Sequence, residues 1–193
     1  HTQRRRQRQM CIRDRYNPSK FQDGWSSGLR PVDSVSRAEC MEFILRLNES
    51  FNSPRLSVEG LWRLPTEAEW EYCARSDTET KWCFGNFDGD LDEYGWHAGN
   101  SGASTREVGL KKPNNWEIYD IYGLISEWCQ DNYRTDYSIP SRQAAYVDSS
   151  EVYAVRGGSW FTESDSTRSS SRSFANFDKS SDGIGLRLVW EPI

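Results

Sequence analysis

The sequence predicts a single α+β domain with two main helices, short strands and much irregular structure. Three observations lead to this class: two capped helical patterns, several short alternating apolar runs, and a stretch at 81–115 that has almost no periodicity. The chain has 193 residues. One domain of that length buries a substantial core without metal ions or disulfide bonds.

The first helix is predicted to begin after Ser36. Ser36 and Glu39 have the spacing of a capping box, in which each side chain binds the backbone N–H of the other residue. The apolar residues that follow at helical spacing share one face: Cys40, Phe43, Ile44 and Leu47. That face is expected to pack on the core.

A second helix is predicted to follow a short strand at 61–64 and to be capped by Thr66 and Glu69. Its inward stripe is expected to hold Trp70, Cys73 and Ala74. The glutamates of its first turns are interpreted as capping and solvated residues rather than as a catalytic pair.

The irregular stretch at 81–115 contains an acidic cluster made of Asp88, Asp90, Asp92 and Glu93. The cluster lacks the terminal glutamate of a calcium loop, so a solvated acidic turn is the favoured interpretation. No Cys-His or Ser-His-Asp spacing supports a catalytic role for His97. A structural role is therefore favoured for this residue as well.

Two strands are predicted to frame a long polar loop near the end of the chain. The first runs into Gly157 and Gly158, the second covers Ile184 to Trp190, and the loop between them spans residues 160–182. Binding and catalytic residues concentrate on loops held by rigid strands, so this loop is the predicted functional surface.

Residues 1–15 differ in composition from the rest, with six arginines, one acidic residue and no apolar periodicity. A basic arm for nucleic acid or an anionic membrane is one interpretation. The interpretation adopted is a non-native segment, since QRQMCIRDR resembles a translated sequencing adapter at the broken end of a gene from bacterial metagenomic DNA. The domain is then predicted to span residues 16–193.

The remaining chain is acidic, with 18 basic and 28 acidic residues. A nucleic-acid partner is not expected, because phosphate binding needs a basic face. No apolar run has the length of a membrane-spanning helix. The cysteines that remain are Cys40, Cys73, Cys83 and Cys129. They permit two disulfides, but none forms a C-x-x-C pair, and free thiols are favoured.

Several ordered motifs resemble the formylglycine-generating enzyme, or sulfatase-modifying factor, family. They are NPSKF with RPVDSVS within 17–36, RLPTEAEWEYCAR at 63–75, GLKKPNNWEIYDIYGLISEWCQD at 109–131, RGGSW at 156–160, and IGLRLV at 184–189. The resemblance implies a C-type-lectin-like fold that here lacks its first strands. It also favours a periplasmic, surface or secreted location.

Active members of this family use two cysteines that bind copper to convert a sulfatase cysteine into formylglycine. The segment after the Gly-Gly-Ser-aromatic motif has Thr162 and Thr167 at the expected positions, and no cysteine follows. A threonine hydroxyl is neither a good copper ligand nor redox-active, so copper and the oxidase reaction are not expected. The iron-dependent sulfoxide synthases of the family need a set of histidines, which His97 alone cannot provide.

The resemblance leaves a calcium site open beside the GLISEW motif. Leu124 stands where the family has a coordinating asparagine, and Glu127 remains as the candidate calcium ligand. A purely structural role for Glu127 is the alternative.

The first functional hypothesis is a non-catalytic binding module that presents residues 160–182 to a protein, peptide or glycan. The candidate ligand-binding residues are Trp160, Phe161, Arg168, Arg172, Phe174, Asn176 and Asp178. The arginines suit bidentate contacts with carboxylates, and the aromatic rings suit stacking. The alternative for both arginines is that they brace the loop internally.

Three other hypotheses stay open. The chain is a formylglycine-generating oxidase with displaced catalytic residues, a retroelement-diversified receptor, or an accessory domain of a larger signalling or surface protein whose upstream domain was lost by truncation. The richness of residues 162–182 in serine, aspartate and asparagine suits the second of these.

Overall fold

The structure is a computed structural model that describes residues 17–22, 27–51, 59–136 and 145–193. The segment 1–15, interpreted above as non-native, lies outside the described residues. The helices are α1 (Arg37–Phe51), α2 (Glu67–Arg75) and a single turn, α3 (Leu91–Tyr94). Short 3-10 turns cover Ser27–Leu29, Asp88–Asp90 and Ser164–Thr167.

Both predicted capping boxes are present. The Ser36 N–H donates to Glu39 Oε2 at 2.8 Å, and the Glu39 N–H donates to Ser36 Oγ at 3.3 Å. Thr66 and Glu69 form the same reciprocal pair at the start of α2. Two otherwise unsatisfied N–H groups are bonded at each helix start, and both predicted main helices are confirmed.

Within the described residues, six strands form two sheets. They are β1 (Gly60–Arg63), β2 (Ser126–Asn132), β3 (Val152–Arg156), β4 (Arg172–Asn176), β5 (Ile184–Gly185) and β6 (Val189–Pro192). β1 pairs with β6, and the larger sheet has the order β4-β3-β2-β5. Only the β2–β5 pairing in this larger sheet is parallel.

The core has two parts that lie on opposite faces of β2 and β3. Cys129 and Ala154 belong to the cluster around α2, whereas Trp128 and Val155 belong to the cluster around α1. Neighbouring residues of a strand point to opposite faces, so each central strand contributes to both clusters. The two helices therefore cover the two faces of the larger sheet.

The predicted polar loop at 160–182 is not continuous irregular structure, which corrects the sequence interpretation. Its second half forms β4, and every residue of β4 pairs with one of β3. Arg, Ser, Ala and Asn have weak strand propensity, so the neighbouring backbone rather than the local sequence determines this strand.

The predicted strand from Ile184 to Trp190 is also divided. Its start, β5, extends the larger sheet beside β2, and its end, β6, pairs with β1. Between them Arg187 turns its guanidinium to Glu127. The two ends of the run at 184–190 thus belong to different sheets.

Candidate functional site

The chain turns sharply after β3 through Gly157 and Gly158, whose φ angles are 98° and 71°. A Cβ added at Gly158 would lie 2.9 Å from Thr162 Oγ1 and 3.0 Å from Thr167 Cγ2. Only glycine adopts this backbone conformation without strain and leaves that space free. The two threonine side chains consequently lie side by side against Gly158.

The Thr162 hydroxyl closes the turn that follows. Its Oγ1 accepts a hydrogen bond from the Ser159 N–H at 2.9 Å and donates to the Ser159 carbonyl at 3.1 Å. The Thr162 carbonyl accepts from the Ala98 N–H at 3.0 Å, which joins this turn to the irregular stretch. The residue has a bracing role within the loop.

Thr167 is completely buried. Its Oγ1 accepts from the indole Nε1 of Trp82 at 3.0 Å and donates to the Ser164 carbonyl at 2.7 Å. Both hydroxyls are therefore neutral oxygens already engaged in hydrogen bonds, whereas cuprous copper prefers soft thiolate or thioether ligands. The residues at the two expected cysteine positions do not fit copper.

The described chain has four cysteines, none of which lies in the segment after the Gly157–Gly158 turn. All are free, and three of them are buried. Burial raises the pKa of Cys40 to about 12 and raises that of Cys129 well above its ordinary value. The reactive form of a cysteine is the thiolate, and these raised pKa values favour the protonated thiol at neutral pH.

An open cleft of about 520 Å³ lies beside the Gly157–Gly158 turn. Three of the predicted site residues line it, namely Thr162, Arg168 and Arg172. Hydroxyl-bearing side chains line most of the rest: Ser126, Ser166, Ser170, Ser171 and Ser173. These serines were not among the predicted site residues, because a serine-rich loop has the same composition whether or not it lines a cleft.

Arg172 takes the bracing role that the sequence left open. Its Nη2 donates to Glu67 Oε2 at 2.6 Å, its Nε donates to Glu67 Oε1, and its Nη1 donates to the Arg134 carbonyl at 2.7 Å. The charge of Arg172 is thus balanced by α2, although part of the side chain borders the cleft.

Glu67 and Glu71 are neither simple caps nor solvated residues, which corrects the sequence interpretation. Glu67 also pairs with Arg156 at 3.2 Å, and Glu71 forms a second ion pair with Arg156, whose side chain is completely buried. Together with Trp70 and Ala74 they form an i, i+3, i+4, i+7 stripe. That spacing was the available signal that both glutamates face inward.

Arg168 is held differently. Its Nε donates to the Asp165 carbonyl at 2.9 Å, and its side chain is 39% exposed. Asp165 Oδ1 lies 3.8 Å from this nitrogen and 3.9 Å from Lys81 Nζ. Such long, exposed ion pairs contribute little, so the positive charge of Arg168 remains available to the cleft.

The other predicted ligand-binding residues lie outside the cleft. Trp160 donates from Nε1 to the Asp182 carbonyl at 2.9 Å, and its ring packs against exposed Phe161. Phe174 is 56% exposed on β4, where its ring lies 4.9 Å from that of Tyr133. Asn176 and Asp178 are exposed further along the chain. Of the predicted ligand-binding residues, the two arginines therefore line the cleft and the other five lie outside it.

Glu127, the candidate calcium ligand, has cationic and neutral donors on both carboxylate oxygens. Arg187 Nη2 lies 2.8 Å from Oε1, and the Trp70 indole donates to Oε2 at 2.8 Å. The side chain is buried and its charge is balanced, so its structural alternative is the one that the geometry supports. Among the described residues, no group of three His, Cys, Asp or Glu could hold a metal ion.

His97 and the acidic cluster also have local partners. His97 Nε2 lies 2.9 Å from Asp92 Oδ1, and this hydrogen bond lowers the pKa of Asp92. Asn100 donates to the same oxygen at 2.8 Å. These contacts tie the acidic turn to the loop that follows it.

The comparisons with known proteins agree with this architecture. A model of the sulfatase-modifying factor enzyme 1-like domain matches residues 4–192. A formylglycine-generating enzyme of Mycobacterium tuberculosis is 29% identical over 154 residues, which are 68% of this chain and 52% of that protein. The inactive Cα-formylglycine-generating enzyme 2 of Mus musculus is 29% identical over 66% of this chain and 42% of that protein. The chain thus spans about half the length of these relatives.

Among solved structures, Treponema denticola variable protein 1 superposes with a TM-score of 0.84 and 28% identity. The superposition covers 94% of this chain and 80% of that one. The C-type-lectin-like α+β fold implied by the motifs is confirmed. Of the helices that the structure describes, none is long and apolar enough to cross a membrane.

The family-model match covers nearly the whole chain, and the fold and the ordered motifs agree with it. The chain belongs to the sulfatase-modifying factor enzyme 1-like (formylglycine-generating enzyme) family.

Proposed function

We propose that this chain is a non-catalytic member of its family that binds a ligand in the cleft beside residues 160–182. One observation carries the proposal: Thr162 and Thr167, which the motif resemblance places where active members have their cysteines, both lie against Gly158, and backbone and indole groups engage their hydroxyls. The family's oxidation requires thiolates there, and a hydroxyl at neutral pH cannot replace them.

The cleft beside the Gly157–Gly158 turn supports a binding role. The Gly157–Gly158 turn and Arg172 line the cleft. Ion pairs with α2 hold Arg172 and the neighbouring Arg156 in place. Exposed groups flank it, including Phe161 and Phe174. A related protein described as inactive exists in Mus musculus, which gives a precedent for such a member.

A peptide oxidation assay tests the proposal against the oxidase alternative. The purified chain is incubated with copper, oxygen and a peptide carrying the sulfatase motif, and the peptide is analysed by mass spectrometry. We expect the peptide cysteine to remain unmodified. Conversion to formylglycine by the wild-type chain would overturn the proposal.

The variant Thr162→Cys/Thr167→Cys is the matched control, because it restores the thiol pair on the same backbone. Oxidation by this variant alone would assign the loss of activity to these two positions. It would also show that the assay detects the reaction.

A second candidate function is a retroelement-diversified receptor. The similarity to a protein described as variable protein 1 favours it, and so do the exposed positions of residues 160–182. Sequencing this gene in many cells of one population tests it. We expect substitutions to concentrate at exposed positions such as Ser166, Ser170 and Ser173, and an even distribution along the gene would contradict it.

A further inference from the structure

Alternate residues of the segment 166–170 point in opposite directions. Thr167 and Ser169 are completely buried, and the Ser169 N–H donates to the Lys81 carbonyl at 2.9 Å. Ser166, Arg168 and Ser170 line the cleft. The buried members fix the backbone, so the three outward side chains project from a rigid support.

The guanidinium of Arg168 is oriented before any ligand arrives. Its Nε is bonded to the Asp165 carbonyl, and the Ser171 hydroxyl donates to the same carbonyl at 2.7 Å. Neither of its terminal nitrogens, Nη1 and Nη2, has a hydrogen-bond partner among the described residues. These two nitrogens form the edge of the fork that binds a carboxylate through two parallel hydrogen bonds.

Serine hydroxyls without a hydrogen bond to the described residues line the same cleft as Arg168. Within the described part of the chain, the side chains of Ser166, Ser170 and Ser173 make no hydrogen bond, although all three line the cleft. Each can donate to an anionic oxygen. An oxygen-rich ligand would therefore find several donors in the cleft.

The charges favour a singly charged anion. Arg168 and Lys81 face the carboxylate of Asp165, while Glu67 and Glu71 of α2 together balance the charges of Arg156 and Arg172. The surplus near Arg168 is about one positive charge, whereas the whole chain has a net charge of −5. A carboxylate suits this surplus better than a phosphate, which carries nearly two negative charges at pH 7.

The neighbouring strand favours an extended peptide as the molecule that carries the carboxylate. β4 is an edge strand of the larger sheet, and its first residues, Arg172 and Ser173, border the cleft. Its outer edge pairs with no strand in the described ranges, and exposed Phe174 follows. A peptide can add to such an edge through backbone hydrogen bonds.

We infer that the cleft binds an extended peptide whose carboxylate is held by Arg168 and the serine hydroxyls of the cleft, with the peptide backbone along β4. This inference rests on the proposed binding function and adds the chemical class of the ligand. The carboxylate belongs to an acidic side chain or to the C-terminus of the peptide.

Two arrays of short random peptides test the inference. One array carries amidated C-termini and the other carries free C-termini. The tagged full chain is applied to these arrays, to phosphoserine peptides and to glycans with and without uronic acids. We expect enrichment of Asp and Glu on the amidated array if a side chain is the source. Enrichment of free C-termini is expected if the C-terminus is the source, and either result supports the inference.

Three variants locate the contact. Arg168→Gln should weaken binding to an enriched peptide about tenfold or more, because a charge-assisted fork is lost. Arg46→Gln makes the same charge change on α1, away from the cleft, and should leave binding unchanged. Asp165→Asn should strengthen binding by removing the competing carboxylate, an effect that a misfolded variant cannot produce.

Other outcomes overturn the inference in distinguishable ways. Peptide binding without a preference for carboxylates, or stronger binding to phosphoserine, contradicts the carboxylate but leaves the binding function standing. Selective binding to glycans contradicts the peptide. Binding to none of the arrays contradicts both the inference and the proposed function.

Discussion

At the scale of single residues, the buried side chain of Thr167 has a clear structural role. The hydroxyl of Thr167 is the hydrogen-bond acceptor for the buried indole of Trp82. Without it, that N–H would stay buried and unsatisfied, which costs more than the mean contribution of a hydrogen bond.

Thr167→Val should accordingly lower the free energy of unfolding by about 1–3 kcal/mol. Urea denaturation at neutral pH measures the change. In a Trp82→Phe background the same substitution should cost less, because no N–H is then left unsatisfied. Equal costs in both backgrounds would contradict the assigned hydrogen bond.

Asp33 is a second residue whose burial affects the stability of the fold. It is completely buried, and its Oδ1 accepts from the Lys20 N–H and the Ser34 hydroxyl, each at 2.8 Å. Its Oδ2 has no hydrogen-bond partner among the described residues. Burial raises the pKa of this carboxyl above its ordinary value of 3.8.

A raised carboxyl pKa means that the folded state binds the proton more tightly than the unfolded state. The contribution of Asp33 to stability is therefore present below pH 3.8 and is lost as the pH rises through the folded-state pKa. Asp33→Asn should gain stability relative to wild type as the pH rises from about 3.8 to 7. Urea titrations across this range measure the difference, and a constant difference would rule the effect out.

At the scale of elements, ion pairs join α2 to β3 and β4. Glu67 lies between Arg156 and Arg172, and the exposed fractions of the three side chains are 12%, 0% and 10%. Charges this far from water depend on their partners. The pairing fixes the helix against the edge strand that borders the cleft.

Glu67→Gln should destabilise the chain by about 2 kcal/mol or more, because two buried guanidinium groups lose their common carboxylate. Glu42→Gln is the matched control, since Glu42 pairs with Arg46 on the exposed side of α1. That change should cost less than about 0.5 kcal/mol. Similar losses in the two variants, measured by urea denaturation, would contradict the role of the buried network.

The two helices could be predicted from the sequence because their caps and apolar faces are local signals. β4 could not, because four of its five residues have weak strand propensity and its hydrogen bonds come from β3. The division of the run at 184–190 was equally hidden, since Arg187 turns to Glu127, a residue 60 positions earlier. Long-range partners determined what local patterns did not.

At the scale of the whole molecule, the ordered motifs predicted the C-type-lectin-like fold, which is confirmed. Part of the predicted ligand-binding set lines the cleft, and Trp160, Phe161 and Phe174 lie beside it. The sequence could not show that Arg172 is paired internally while the charge of Arg168 stays available to the cleft. This difference depends on the ion pair of Arg172 with Glu67 of α2. The serines of the cleft could not be predicted either, because the composition of a serine-rich loop does not indicate which residues line a cleft.

The central claim is that this family member keeps the cleft but not the copper chemistry. Anaerobic competition with a colorimetric cuprous chelator tests it most directly, with wild type compared with Thr162→Cys/Thr167→Cys. The threonine pair converges on Gly158, so the double variant should withdraw copper from the chelator while wild type leaves its absorbance unchanged. Withdrawal of copper by wild type to the same extent would contradict the account.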